Sequence, residues 1–205
     1  METSDNPRGR IIAEAKSLFF VHGYSKVLMA DLAKRLGMSK KTLYQYFSGK
    51  EELLNVIIRQ HAQDIQQEVE LILADKQLLF PDKTRRIFSY VGTKLHDINA
   101  DFVLDIKKNA PSAWQLLQKH KTDAAFLRFN SLLEEGYEKG YVRSSINRSL
   151  AVLLYASALE TILNPEFTDQ VPKELIQDMP KTPGEVFDGL VKVIFKGILL
   201  EDHKV

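Results

Sequence analysis

Four polar side chains in the first quarter of the chain have types and spacing suited to binding a nucleic acid. Lys41, Tyr44, Gln45 and Ser48 recur at helical spacing, so a helix would present them as one stripe. Lysine neutralises phosphate or donates to guanine acceptors, and glutamine pairs with adenine through two hydrogen bonds. Tyrosine offers its ring to the thymine methyl group and its hydroxyl to phosphate. A helix lying in the major groove of DNA would need such a stripe.

Two short helices and a tight turn are the elements that must position this stripe. The pattern predicts a helix-turn-helix over about residues 29–47, with a turn through Gly37-Met38-Ser39 and a second helix that begins at Lys40. Leu43 and Phe47 are four residues apart and lie opposite the polar stripe. They can pack on the apolar residues of the preceding helices and so turn the stripe towards solvent.

Three more residues extend this candidate surface. Ser39 stands where an N-cap belongs, and the free amides and dipole of a helix start favour a phosphate beside Ser39 and Lys40. Lys50 begins the next helix and could hold the same DNA backbone in a similar way. The alternative interpretation is an ordinary solvated face, because short helix pairs with a glycine turn are common and adjacent lysines usually face water.

The flanking sequence predicts a helix on each side of this pair. Apolar residues at helical spacing favour a first helix over Arg10–His22, which Gly23 ends. Ser48 and Glu51 have the spacing of a capping box, in which Ser48 accepts from the Glu51 amide and the Glu51 carboxylate reaches back. The helix behind it is long and amphipathic and is predicted over residues 51–75.

The rest of the chain also has the pattern of helices, so the sequence predicts an all-α fold. Apolar residues recur at helical spacing, no long stretch alternates with period two, and four prolines between residues 165 and 183 mark a connection. A second capping box at Thr182-Pro183-Gly184-Glu185 starts the last helix. The further helices are predicted near residues 82–97, 100–108, 112–120, 122–139, 147–163 and 184–200.

Composition excludes several classes of protein. The 205 residues contain no cysteine, which excludes a disulfide framework, a zinc ribbon and a cysteine nucleophile. No signal peptide and no membrane-spanning run are visible, so a soluble cytoplasmic protein is expected. The 28 basic and 27 acidic residues nearly cancel, but residues 1–60 carry ten basic and six acidic side chains. This asymmetry favours a polyanionic partner for the N-terminal end.

Signatures of catalysis and of metal or cofactor binding are missing from the sequence. It contains no nucleophile elbow, no Walker loop, no zinc-protease helix motif and no glycine-rich dinucleotide turn. The five histidines show no convincing metal-ligand spacing. We therefore expect a protein that is not an enzyme and that needs no metal or cofactor.

Residues 10–58 resemble the DNA-binding domain of the TetR (tetracycline repressor) family of bacterial transcriptional regulators. The segment SKKTLYQYFSGKEELL (residues 39–54) is the most specific part, because it combines a recognition helix with the capped entry to the next helix. One departure is Val27-Leu28-Met29-Ala30, where the family often has Thr or Ser, so we expect fewer DNA contacts from the second helix. The other matching residues are Ile12, Ala15, Leu18, Phe19, Gly23, Tyr24, Asp31, Leu32, Ala33, Leu36, Gly37 and Met38.

The resemblance implies a regulator of transcription that binds double-stranded DNA. Such a protein is most often a repressor that a small-molecule effector releases from a palindromic operator. Residues 1–50 would be the DNA-binding domain, and residues 51–205 the helical effector-binding and dimerisation domain, joined through the long helix 51–75. The alternative is a helical interaction module whose helix-turn-helix packs on another protein. The polar stripe argues against this alternative, because a protein interface would bury more apolar residues. The implied base or nearby phosphate contacts are Lys40, Lys41, Thr42, Tyr44 and Gln45, and the implied backbone contacts are Ser39, Tyr46 and Lys50.

The resemblance also implies a homodimer with an effector pocket in its C-terminal domain. Two recognition helices about 34 Å apart would read a near-palindrome that one short helix cannot. Ordinary core packing is the alternative for both residue sets that follow. The candidates for the dimer face, on the last two long helices, are Leu150, Leu154, Ala158, Val186, Leu190 and Ile194. The candidates for the pocket of a largely apolar effector are Phe88, His96, Phe102, Trp114, Phe126, Phe129, Tyr137 and Tyr155.

Overall fold

The structure, a computed structural model, describes residues 6–96, 98–163 and 183–198, together with residues 172, 174 and 177. The predicted all-α fold is confirmed, and a π-helical turn, Ala124–Phe129, joins α7 to α8. The helices of the described residues are, in chain order, α1 (Pro7–His22), α2 (Met29–Arg35), α3 (Lys40–Tyr46), α4 (Lys50–Ala74), α5 (Phe80–His96), α6 (Ala100–Asn109), α7 (Pro111–Asp123), α8 (Asn130–Glu138), α9 (Arg148–Leu163) and α10 (Pro183–Ile198).

The chain divides into two compact units. The N-terminal unit comprises Met1–Ala62 and Asp97–Gln118, and the C-terminal unit comprises Gln63–His96 and Lys119–Val205. The first half of α4 and the whole of α6 therefore pack with the helix-turn-helix. The N-terminal unit is thus larger than the DNA-binding domain predicted for residues 1–50.

Local signals in the sequence account for the start and end of α1. Asn6 is its N-cap and accepts a hydrogen bond from the Arg8 amide at 3.0 Å, and Pro7 occupies the first helical position. The helix therefore begins three residues before the predicted Arg10. Gly23 ends it with φ at 89°, in a conformation that favours glycine.

The helix-turn-helix has the boundaries that the sequence predicts to within one residue. Gly37 adopts a φ of 65° in the turn, and the Met38 amide donates to the Ala33 carbonyl at 3.0 Å. Ser39 is the predicted N-cap of α3 and accepts from the Thr42 amide at 3.0 Å. Leu28 precedes α2 without a side-chain cap, as the departure at residues 27–30 led us to expect.

The predicted capping box at the start of α4 is wrong in one partner. The Glu52 carboxylate, rather than that of Glu51, accepts from both the amide and the hydroxyl of Ser48, at 2.6 and 2.7 Å. Glu51 instead accepts from the Ser112 hydroxyl at 2.6 Å. Because the partner of Glu51 is Ser112 on α7, which is distant in sequence, local spacing could not decide between two adjacent glutamates.

The predicted break between helices at residue 121 is also wrong. Residues 111–138 form one continuous helical run that passes through the π-helical turn. No proline or glycine occurs between Pro111 and Gly136, so nothing in this stretch ends a helix. The predicted connection at residues 164–183 and the cap at Thr182 lie largely outside the described residues.

An aromatic cluster forms the centre of the C-terminal unit. The Phe88 ring lies 5.0 Å from Phe195 and 5.9 Å from Phe187, measured between ring centroids. Phe129 and Tyr155 stack on each other at 4.1 Å beside it. These five rings join α5, α9, α10 and the π-helical turn into one core.

Candidate nucleic-acid interface

Helix α3 has one buried side and one exposed side. Leu43 and Phe47 are almost completely buried, whereas Tyr44 is 49% exposed. The other exposed side chains of the predicted interface are Lys40, Lys41, Gln45 and Tyr46. The structure therefore confirms the two-sided character of the helix, with the polar stripe accessible to a partner.

Ser39 and Thr42 hold each other at the start of α3. Their hydroxyl oxygens are 2.8 Å apart, and Ser39 also accepts from the Thr42 amide. This arrangement fixes the first turn of the helix. It leaves the exposed Ser39 next to Lys40 and Lys41, so the hydroxyl and two cations lie together at one end of the stripe.

Lys50 is partly buried and bound within the N-terminal unit. Its Nζ donates to the carbonyl of Ser25 at 3.2 Å and lies 4.3 Å from the centre of the Tyr24 ring. Burial lowers the pKa of Lys50, and the nearby Asp105 carboxylate opposes that shift. Lys50 thus supports the α1–α2 loop, and its predicted contact with the DNA backbone remains a prediction.

Sequence reasoning missed Asp105, which holds the α1–α2 loop from α6. Its carboxylate accepts from the amide and the hydroxyl of Ser25 at 2.7 and 2.9 Å, and from Asn109 at 2.8 Å. We call this set of contacts the Asp105 clamp. Burial raises the pKa of the Asp105 carboxyl, but the hydrogen bonds and the charge of Lys50 outweigh it and lower the pKa below its usual value. Ser25 and Asp105 are eighty residues apart, so no local pattern could reveal the contact.

A second group of contacts ties the start of α6 to the end of α1. The Asn99 amide donates to the Phe20 carbonyl at 3.1 Å, and its side chain donates to the Val21 carbonyl at 3.2 Å. Phe102 packs against Phe20 with 5.0 Å between the ring centroids. With the Asp105 clamp, these contacts give the helix-turn-helix a fixed support.

The C-terminal unit contains a groove between α5 and α10. Its volume is about 410 Å³, and its lining includes the buried rings of Phe88 and Phe195. Two predicted pocket residues, Phe88 and His96, line it. The full lining is Thr84, Arg85, Phe88, Ser89, Thr93, His96, Asp188, Val191, Lys192, Phe195 and Lys196.

The other predicted pocket residues lie elsewhere. Phe129 and Tyr155 pack behind Phe88 in the aromatic cluster, where burial raises the pKa of Tyr155. Phe126 and Tyr137 are exposed. Phe102 and Trp114 belong to the N-terminal unit, where Phe102 is core.

The predicted dimer face divides between exposed and buried positions. Leu150 and Leu154 are exposed on one side of α9, together with Leu153. On α10, Val186 and Leu190 are half-buried, and Val193 is exposed. Ala158 and Ile194 point into the core of their own chain. We call the exposed apolar residues of these two helices the apolar stripe, which consists of Leu150, Leu153, Leu154 and Val193.

Among the described side chains, no group of three His, Cys, Asp or Glu residues is arranged to hold a metal ion. None of the helices that the structure describes has both the length and the apolar character that crossing a bilayer requires.

The N-terminal sequence matches the model of a known family. Residues 11–57 match the model for bacterial regulatory proteins of the tetR family. The match covers most of α1, all of α2 and α3, and the first turns of α4, and so includes the whole exposed stripe of α3.

Comparisons over the full chain agree with this local match. The chain is 28% identical over 195 residues to YvaF, an uncharacterized HTH-type transcriptional regulator of Bacillus subtilis, covering 95% of this chain and 96% of the relative. It shares the fold of a TetR transcriptional regulator from Legionella pneumophila, with a TM-score of 0.69, 19% identity and coverage of 97% and 100%. SmeT, the repressor of the Stenotrophomonas maltophilia multidrug efflux pump SmeDEF, matches with a TM-score of 0.68, 16% identity and coverage of 100% and 96%.

Proposed function

Because the chain belongs to the tetR family and is a DNA-binding transcriptional regulator, we propose that the exposed stripe of α3 reads its operator in the major groove. The observation that carries this proposal is the two-sided burial of α3. Leu43 and Phe47 anchor the helix, while Tyr44 and Gln45 face outwards with the cations Lys40 and Lys41. Such a stripe combines base contacts with phosphate contacts.

The proposed division of labour follows from the chemistry of each side chain. Tyr44 and Gln45 contact base edges, and Lys40 and Lys41 contact bases or nearby phosphates. The hydroxyl groups of Ser39, Thr42 and Tyr46 add contacts at the edge of the groove. The protein acts in the cytoplasm, where bacterial DNA lies, and its activity involves no catalysis.

A homodimer is the proposed binding form. The apolar stripe exposes three leucines on one side of α9 and a valine on α10. Exposed apolar side chains grouped on one side of a helix are typical of an interface. A twofold pairing through this stripe would present two copies of α3 to half-sites of a palindromic operator about 34 Å apart.

We further propose that the protein is a repressor and that a small-molecule effector releases it from DNA. The effector binds in the C-terminal unit, and α4 transmits the change because this 25-residue helix contributes to both units. An effector that weakens DNA binding must itself bind more weakly to the DNA complex. Residues 1–50 are the proposed DNA-binding domain, and residues 51–205 the proposed effector-binding and dimerisation domain.

Sequencing of retained DNA tests the operator proposal directly. Purified protein is incubated with sheared genomic DNA of its source, and the expected result is recovery of a near-palindromic sequence. The matched variants are Tyr44→Ala and Tyr137→Ala, because the two tyrosines are 49% and 50% exposed.

Affinity for the recovered sequence then separates the two variants. Tyr44→Ala is expected to lower it about tenfold, and Tyr137→Ala to leave it unchanged. Equal affinities for Tyr44→Ala and the unaltered protein would contradict the role given to α3. Retention of DNA without any sequence preference would contradict the proposal that the protein recognises a specific operator.

A further inference from the structure

The groove between α5 and α10 has two chemically different ends. His96 lies directly against Gly184, where no Cβ would fit, and its Nε2 is 3.7 Å from the Asp188 carboxylate. The end of α5 thus meets the start of α10, so the two helices run antiparallel. The opposite end of the groove must therefore hold Arg85 from α5 and Lys196 from α10.

Positive charge predominates at this second end. Arg85 forms an ion pair with Asp82 at 3.2 Å. For Lys192 and Lys196, both exposed on the groove, no ion pair with a carboxylate is found among the described residues. The single carboxylate in the lining is Asp188, which lies beside His96, eight residues before Lys196 and one helical turn before Lys192 on α10. An anionic group would therefore find its complement near Lys192 and Lys196.

The groove is elongated, and its apolar lining lies next to the cationic end. Phe195 is adjacent to Lys196, Phe88 is one helical turn from Arg85, and Val191 is one turn from Phe195. Arg85 and His96 are eleven residues apart on α5, which corresponds to about 16 Å at 1.5 Å per residue. A volume of about 410 Å³ along this length suits one slender molecule.

We propose that the groove binds an elongated amphipathic anion, with its apolar chain along Phe88 and Phe195 and its head group at Arg85, Lys192 and Lys196. Only the role of the bound molecule as the effector rests on the proposed function. Binding itself follows from the shape and charge of the groove. The class of ligand is a slender apolar chain that carries one carboxylate at its end.

Calorimetric titration of the full-length protein compares two probes of the same chain length, dodecanoate and uncharged dodecanol. Dodecanoate is expected to bind about fivefold to tenfold more tightly, because each exposed cation contributes a modest attraction. Its affinity should fall as salt is added, since exposed charges are screened, while that of dodecanol should not.

Three variants locate the binding site. The double change Lys192→Met with Lys196→Met should abolish the preference for dodecanoate, while Lys76→Met, at an exposed lysine outside the groove, should preserve it. Ser89→Trp would fill the groove from an exposed position and should prevent binding of both probes. Equal affinity for the two probes, or a preference that survives the double change, would overturn the proposal.

A separate measurement tests the connection with regulation. Operator DNA is titrated with and without dodecanoate, using the unaltered protein and Ser89→Trp. If dodecanoate releases DNA from the unaltered protein but not from Ser89→Trp, the result supports an anionic effector. Binding of dodecanoate without any release of DNA would overturn its role as effector, and would leave the ligand class established by calorimetry.

Discussion

Asp105 shows how a single carboxylate can support a binding surface that it does not belong to. It accepts three hydrogen bonds and lies near Lys50, and its pKa is lower in the folded protein than in an unfolded chain. A depressed pKa stabilises the fold at pH values above the unfolded pKa of about 4. That contribution is lost as the pH falls through the lower, folded pKa.

Replacing Asp105 should therefore change the acid sensitivity of the protein. For the unaltered protein, the free energy of unfolding should fall between about pH 5 and pH 3 as this carboxylate is protonated. Asp105→Asn should be less stable at pH 7 and should lose less stability over that interval. Urea denaturation at a series of pH values gives both quantities.

The control for this experiment lies on the same helix. Asp101 is on the exposed side of α6, and Asp101→Asn should retain the pH dependence of the unaltered protein. An identical slope for Asp105→Asn and the unaltered protein would show that the Asp105 clamp contributes nothing to stability. A loss of operator affinity in Asp105→Asn would extend its role to positioning the helix-turn-helix.

At the scale of helices, one close contact joins α8 to α5. A Cβ at Gly136 would come within 2.6 Å of the Phe80 ring and 2.8 Å of the Val142 side chain. The Phe80 ring is completely buried and stacks on Tyr141 at 5.3 Å, so it has little room to move. Glycine at this position lets the two helices approach.

Gly136→Ala should destabilise the protein by about 1–3 kcal/mol, because extra volume in a packed core forces its neighbours to shift. Gly9→Ala, on α1, is the matched control, since nothing lies within 4 Å of its Cβ position. Alanine there should stabilise the helix by about 0.5–1 kcal/mol. Thermal denaturation measures both, and equal effects of the two changes would contradict the packing argument.

The helices and their contacts differ in how far they could be predicted from the sequence. Periodicity, glycines and caps predicted most helices, because these signals act over a few neighbouring residues. They could not distinguish Glu51 from Glu52, or find the Asp105 clamp, because both outcomes depend on residues that are distant in sequence. The two sides of α3 were predictable, since burial follows its 3.6-residue period. The groove was only partly predictable, because Phe88 and His96 are the two lining residues that the sequence predicted.

For the whole molecule, the apolar stripe is the feature that bears on assembly. Leu154 is 54% exposed on α9, and an acidic side chain there would oppose pairing of two copies. Leu154→Glu should therefore produce monomers, as measured by sedimentation, and should lower operator affinity strongly because only one half-site is then read.

A control at another exposed leucine separates assembly from general surface effects. Leu71 is 67% exposed on α4, and Leu71→Glu should leave both the dimer and operator affinity unchanged. A Leu154→Glu protein that remains dimeric would contradict the proposed interface. A monomeric variant with full operator affinity would contradict the need for two copies.

The shortness of α3 limits how much sequence information one operator can carry. Seven residues span about 10 Å, or roughly three base pairs at 3.4 Å each, and three fully specified pairs amount to about six bits. Two copies of α3 read about twelve bits, whereas specifying one site among about 10⁶ competing sites requires about twenty bits. Helix α2, which starts without a polar cap, offers little to fill the difference. We therefore expect the retained genomic DNA to contain a set of related operators, so that one regulator addresses several promoters.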